Sequence, residues 1–225
     1  MIEFSNVVKR YEDGHEALDQ VSFAMKRGEM AFLTGHSGAG KSTLLKLIML
    51  MERATKGQVV IGGQNLEGIS KHQIPYYRRH VGVVFQNHRL LYDRSVFDNV
   101  ALPLEVAGSE PREIGKRVRA ALDKVGLLSK EKLTPIQLSG GEQQRIGIAR
   151  AVVNKPPVLL ADEPTGNLDP ELSAEIMKLF AQFNQVGVTV LIASHDLALI
   201  QEMPYRVIEL SQGRIVSAAS EAAHA

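Results

Sequence analysis

The chain has 225 residues, about one and a half times a typical domain, so one compact domain with a large insertion or two small domains are expected. Its 26 Lys and Arg against 25 Asp and Glu leave a formal charge of +1, which argues against non-specific grip on nucleic-acid phosphates as its main task. With 44% apolar and 23% charged residues it reads as a folded chain, and the lack of Cys excludes disulfide scaffolds, thiolate zinc sites and thiol nucleophiles.

Charge arrives at once after Met1, with no apolar segment of the signal-peptide kind. Val21–Met25 alternates as a half-buried strand does, and the continuous run Met30–Leu33 suits a strand buried on both faces. Ser42–Met51 is apolar nearly all round, predicting a buried helix. Gln58–Ile61 followed by Gly62-Gly63 reads as strand and tight turn. From Asn87 to Asn154 the pattern is helical. It is clearest over Arg112–Val125, where Ile114, Val118, Ala121, Leu122 and Val125 share one face. The opposite face is basic, which fits a solvated surface or one that binds an anion or acidic partner.

Val158–Ala161 and Val188–Ala193 read as buried strands, with a helix over Pro170–Gln185 between them. Arg206–Leu210, Ser211-Gln212-Gly213 and Arg214–Val216 read as a closing hairpin, and Ser217–Ala225 as a frayed tail. The pattern predicts one α/β domain over 1–225: a core from 1–86 and 156–217, a helical subdomain over 87–155, and a tail over 218–225. The longest apolar stretches, Leu44–Met51 (broken by Lys46) and Val186–Ala193, fall far short of the ~20 residues of a membrane span, so a soluble chain is expected.

Gly35-His36-Ser37-Gly38-Ala39-Gly40-Lys41-Ser42 matches the P-loop pattern between a predicted strand and a predicted helix. Glycines let successive backbone N–H groups turn toward phosphate oxygens, and the following helix adds its positive end. Lys41 is then placed for the β- and γ-phosphates and the Ser42 hydroxyl for Mg²⁺. Val158–Ala161 ends in Asp162-Glu163, a second metal-shell carboxylate followed by an acid able to take a proton from attacking water.

Leu138-Ser139-Gly140-Gly141-Glu142-Gln143-Gln144-Arg145 resembles the signature motif of the ATP-binding-cassette (ABC) ATPases. It also reads as a capped helix start, Ser139 with Glu142 three residues on. The resemblance extends from Ile2 to Val216 and implies a P-loop NTPase of the ABC type: a mixed-sheet core, an antiparallel β subdomain and a helical insertion. It implies an adenine-stacking role for Tyr11, nucleotide contacts from residues 35 to 43 (Thr43 included), and contacts from Ser139, Gly140, Gly141 and Glu142 to a nucleotide on the opposite subunit. Gln86 resembles the Q-loop glutamine at Mg²⁺ and γ-phosphate, Asn167-Leu168-Asp169 the D-loop, and His195 the switch histidine. Catalysis is thereby expected from Glu163, His195, Gln86 and Lys41, with Ser42, Gln86 and Asp162 around the metal.

Within the family, Phe32–Lys46, Asp93–Ala101, Pro135–Glu142 and Ala149–Pro156 resemble the branch that serves bacterial cell division. That implies an ATP-bound homodimer on the inner face of the membrane at the septum, a polytopic membrane protein and cytoplasmic division-ring proteins as partners, and no nucleic acid. Leu90, Leu91, Tyr92 and Phe97 read either as the docking surface for that partner or as insertion core. An ATPase for lipoprotein or macrolide export, and an ATP-gated scaffold without needed turnover, stay open as alternatives. Relatives commonly carry Gly near Leu50 and Pro near Ala54, so the helix after the P-loop is expected to run longer here.

Overall fold

A computed structural model describes residues 1–166 and 168–219. In chain order the strands β1 (Ile2–Arg10), β2 (Glu16–Met25) and β3 (Met30–Thr34) lead to helix α1 (Lys41–Ile48). Next come β4 (Lys56–Ile61), β5 (Gln64–Asn65), α2 (Ile74–Arg78) and β6 (Val81–Val84), then the helices α3 (Val96–Val106), α4 (Pro111–Lys124) and α5 (Gly140–Val152). The last third alternates through β7 (Val158–Asp162), α6 (Pro170–Gln185), β8 (Thr189–Ala193), α7 (Leu197–Gln201), β9 (Arg206–Ser211) and β10 (Arg214–Ala219).

The strands form an antiparallel sheet of order β2-β1-β4-β5 and a mixed sheet of order β10-β9-β3-β8-β7-β6. Among the described residues, the β9–β10 hairpin is the one antiparallel pair of the mixed sheet. The continuous apolar runs of β3, β7 and β8 follow from burial on both faces. Ala31, Leu33, Leu160 and Leu191 join one core with α1 and the antiparallel sheet. Their neighbours Phe32, Leu159, Val190 and Ile192 join a second core with residues of α3, α4, α5 and α6. The antiparallel sheet is buried on one face, where Phe4 and Phe23 pair across β1 and β2 and stack at 4.8 Å. Gly82 lets α5 approach the sheet, because a Cβ there would lie 2.4 Å from the Ala151 carbonyl oxygen.

Three expectations need correction. The helix after the P-loop stops at Ile48, although glycine is missing. Leu50 itself takes the left-handed conformation at φ +52, and the Leu50 and Met51 amides donate to the carbonyls of Leu47 and Lys46 at 3.0 and 2.9 Å. Burying the Leu50 side chain, worth about 2 kcal/mol, offsets the ~1 kcal/mol cost of that backbone. Next, Ser217 is not frayed, since β10 continues through it and pairs Ser217 with Glu209 and Ala219 with Val207. The remainder of the expected tail, 220–225, lies outside the described residues. Finally, β2 begins five residues before Val21. The elements β1, β5, α2, β6 and α7 had no sequence reading. No helix among the described residues is long and apolar enough to cross a membrane.

Candidate active site

Parallel pairing brings the catalytic candidates together. Leu33 pairs with Ala193, Asp162 with Ala193, and Val84 with Ala161, so β3, β8, β7 and β6 end at one edge of the sheet. The P-loop, Asp162-Glu163, Ser194-His195 and Gln86 all leave the sheet there, where ligands of open α/β sheets bind.

Gly35, Gly38 and Gly40 hold φ values of +143, +79 and +108, which only glycine adopts without strain. A Cβ on Gly35 would lie 2.1 Å from the Leu210 carbonyl oxygen and one on Gly40 2.5 Å from that of Ala17, so the loop is wedged against backbone. Beside Gly38 there is open space. Buried Ala39 anchors the loop from within, accepting from the Gly213 amide at 3.0 Å. His36 and Ser37 are exposed, the ring Nδ1 of His36 lying 2.7 Å from the Ser37 carbonyl oxygen. Lys41 folds over the loop, its Nζ donating to the Gly35 and His36 carbonyls at 2.6 and 3.3 Å. Helix α1 starts at Gly40 with no side-chain cap and no acid in its first turn, leaving its first amides to an anion.

Burial, reinforced by the neighbouring Glu163 charge, raises the Asp162 carboxyl above its ordinary range, against the opposing pull of Lys41, the Ser42 hydroxyl and Lys46. A hydroxyl beside a carboxylate disfavoured as an anion is a donor set that a hard divalent cation such as Mg²⁺ relieves. Glu163 holds φ +50, a strained backbone for a non-glycine residue, and its amide donates to Ala193 at 2.9 Å. Its Oε2 lies 2.9 Å from His195 Nδ1 and accepts from the His195 amide at 3.4 Å. Glu163 is largely buried while His195 stays open to solvent. Gln86 reaches the same place: a Cβ on Gly166 would meet the Gln86 amide nitrogen at 3.8 Å and the Glu163 carbonyl oxygen at 3.7 Å.

Tyr11 follows β1, and its hydroxyl sits 3.3 Å from Thr43 Oγ1 at the start of α1. The Lys9 ammonium lies 4.9 Å from its ring centroid, and the His15 ring is parallel to it at 6.4 Å. The tyrosine is thus tied to the P-loop helix by a side chain 32 positions away.

The signature motif lies apart from this edge. Ser139 caps α5 by accepting from the Glu142 amide at 3.3 Å, and the Glu142 carboxylate accepts from the Ser139 amide at 3.0 Å. Glu142 also pairs with Lys130, which holds its carboxyl below the usual range with further help from Ser139. Gly140 is exposed with nothing near a would-be Cβ, while Gly141 packs under Leu172 of α6. Among the described residues, no hydrogen bond or ion pair joins residues 139–142 to residues 35–43. Of the D-loop, Asp169 caps α6 by accepting from the Leu172 amide at 2.9 Å; Asn167 lies outside the described residues.

The segment after Gln86 divides. Leu90 is buried and Phe97 half-buried under Arg119, whereas Leu91 and Tyr92 are exposed. Three contributors had no sequence reading. Lys130 pairs with Glu142, Gly166 leaves room for Gln86, and the Arg150 guanidinium on α5 donates to the carbonyls of His88 and Arg89. Arg150 lies 61 positions from Arg89, and no local pattern announces such a pair.

The fold and the edge site define a P-loop ATPase, and residues 18–166 match the model of the ABC transporter family, to which the chain belongs. It is an ATP-binding ABC ATPase and an ATP hydrolase. The chain is 59% identical over 215 residues to the cell division ATP-binding protein FtsE of Escherichia coli K12, covering 96% of this chain and 97% of that one. The FtsE of Bacillus subtilis 168 is 48% identical over 216 residues, with 96% and 95% covered. Among solved structures, the dimeric bacterial ABC transporter cassette MJ0796 is 35% identical and superposes with a TM-score of 0.89 over 98% of both chains. The same cassette in a post-hydrolysis dimer bound to ADP and Pi superposes at 0.88.

Proposed function

We propose that two copies of the chain close head to tail on two ATP molecules. Each ATP is held by the P-loop, Lys41, Ser42 and Tyr11 of one subunit and by Ser139, Gly140 and Gly141 of the other. The carrying observation is the division of the chain: Lys41, Asp162, Glu163, His195 and Gln86 share one edge, while among the described residues exposed Ser139 and Gly140 share no hydrogen bond or ion pair with the P-loop. Dimeric MJ0796 supports the arrangement.

Ser42, Asp162 and Gln86 would hold Mg²⁺, which supplies charge neutralisation on the phosphates when bound. Glu163, held by His195, accepts the proton of the water that attacks the γ-phosphorus as the β,γ-bridging bond breaks. His195 donates to the γ-phosphate, and Lys41 follows the charge that develops on it. Closure and release tilt the helical subdomain, 87–155, against the core, with Gln86 at the hinge.

The relatives' shared name supports a role in bacterial cell division. There the chain works against an FtsX-like polytopic membrane protein on the inner face of the membrane at the septum and activates peptidoglycan hydrolysis outside. Leu91 and Tyr92, exposed just after the hinge, are the docking side chains of choice. The test is copurification from membranes in ATP with wild type and Glu163→Gln. Recovery of an FtsX-like protein, increased in the variant, is the expected result; recovery with an export permease alone overturns the division reading. Normal division with a turnover-dead Glu163→Gln overturns the need for hydrolysis.

A further inference from the structure

The basic face of α4 is absorbed by nothing in the ATPase site. It forms one wall of a groove whose other walls come from the end of α5, the end of α6 and the turn before β3. Pro156-Pro157 precede β7, Gly187-Val188 precede β8 and Arg27 precedes β3, so the groove lies at the starting ends of the parallel strands. The nucleotide edge lies at their finishing ends, about 15 Å away across five-residue strands.

Five cations line it: Arg27, Lys116, Arg117, Lys124 and Lys155, against the single acid Glu113. None of the five belongs to an ion pair among the described residues. Only Arg117 is committed, donating to the Val153 carbonyl oxygen at 2.9 Å, where it also complements the end of α5. The charge is concentrated, because the whole chain carries a formal net charge of only +1. Between the cations the groove is apolar: Val186 is 79% exposed, half-buried Val152 and Pro157 line it as well, and Phe183 lies buried beneath. The groove thus combines an exposed valine at the end of α6 with cations outside any ion pair, the combination an amphipathic ligand uses.

We propose that this groove docks an acidic protein segment that carries apolar anchors, with Asp and Glu on Lys116, Lys124 and Lys155 and an apolar side chain on Val186, Val152 and Pro157. Charge complementarity selects an acidic occupant, and the concave apolar floor selects a peptide over a flat bilayer surface or a nucleic-acid backbone. Placement at the far end of the sheet leaves the groove open while nucleotide is bound, so one chain can hold ATP and this partner together.

The experiment pans a phage-displayed random dodecapeptide library against the full chain, then measures the selected peptides by fluorescence anisotropy. The expected peptides carry at least three acids and one or two large apolar residues. Lys116→Glu with Lys124→Glu is expected to weaken them at least tenfold and Val186→Asp about threefold or more, with ATP hydrolysis unchanged. Polyglutamate of equal charge, phosphatidylglycerol vesicles and a single-stranded dodecanucleotide serve as comparison probes. Failure to enrich acidic peptides, or binding insensitive to the lysine pair, overturns the proposal. So does polyglutamate binding as well as the peptides, or the vesicles or oligonucleotide binding more tightly. A change in melting temperature of the variants is measured alongside, and Lys116→Gln with Lys124→Gln, expected to give an intermediate loss, separates charge from folding.

Discussion

The two helix starts that the proposed dimer brings to phosphate are built in opposite ways. Helix α1 begins at Gly40 bare, with no side-chain cap, no acid in its first turn and three glycines at positive φ ahead of it. Helix α5 begins fully dressed, with Ser139 and Glu142 capping each other and Lys130 pairing with the same carboxylate. A bare end surrounded by close backbone is a rigid anion site that must be filled to be satisfied. A dressed end is stable by itself and contributes only its outer donors, so it fits a second, reversible contact. In the proposed dimer the difference fits grip at one end and closure at the other.

The strongest way to break that contrast is at the grip end. Lys41→Ala is expected to abolish ATP binding and lower hydrolysis by about a thousandfold, read by fluorescent-nucleotide titration and phosphate release. Glu163→Gln should lower turnover by a similar hundred- to thousandfold while keeping nucleotide, and shift the chain to a dimer in ATP by light scattering. Survival of turnover within tenfold would remove Glu163 as the proton acceptor.

At the closure end, Ser139→Ala should cost about 1 kcal/mol of stability in denaturant melts by removing the cap. Gly140→Ala has room for its methyl and should leave the melt nearly unchanged while weakening ATP-driven dimerisation. Equal losses of stability in the two would erase the distinction between cap and contact.

Asp162 and Glu142 give smaller effects of opposite sign with pH. The Asp162 carboxyl is raised, so folding penalises its charged form, and stability is lost as pH rises from the ordinary carboxylate range through that raised value. Asp162→Asn should therefore raise the melting temperature at neutral pH while impairing hydrolysis. The Glu142 carboxyl is lowered, so its contribution is present above the ordinary carboxylate range and fades as pH falls through the lowered value. Glu142→Gln, which can still cap, should flatten that acid-side loss by a small amount, since Lys130 is well exposed to solvent.

Most of the fold was legible because periodicity reports burial. The runs at Met30, Val158 and Val188 are continuous since their strands are covered on both sides, and α4 shows one clean face since it is covered on one. What escaped is where local pattern and tertiary packing part. Missing glycine at Leu50 suggested a longer helix, yet burial of its side chain outweighs the left-handed strain. Small polar residues at Ser217 suggested fraying, yet β9 offers a partner strand.

By itself the sequence determined the chemistry: a phosphate loop, a strand-end pair of acids, and a capped glycine motif, each carried by contiguous residues whose spacing is local. Only the tertiary structure decided which of them meet. Parallel register, a property of strands far apart in the chain, sets Gln86, Glu163 and His195 around one point and leaves Ser139 elsewhere. The same packing gathers Arg27, Lys116, Lys124 and Lys155 into one groove, although in the sequence they are scattered charges that nearly cancel.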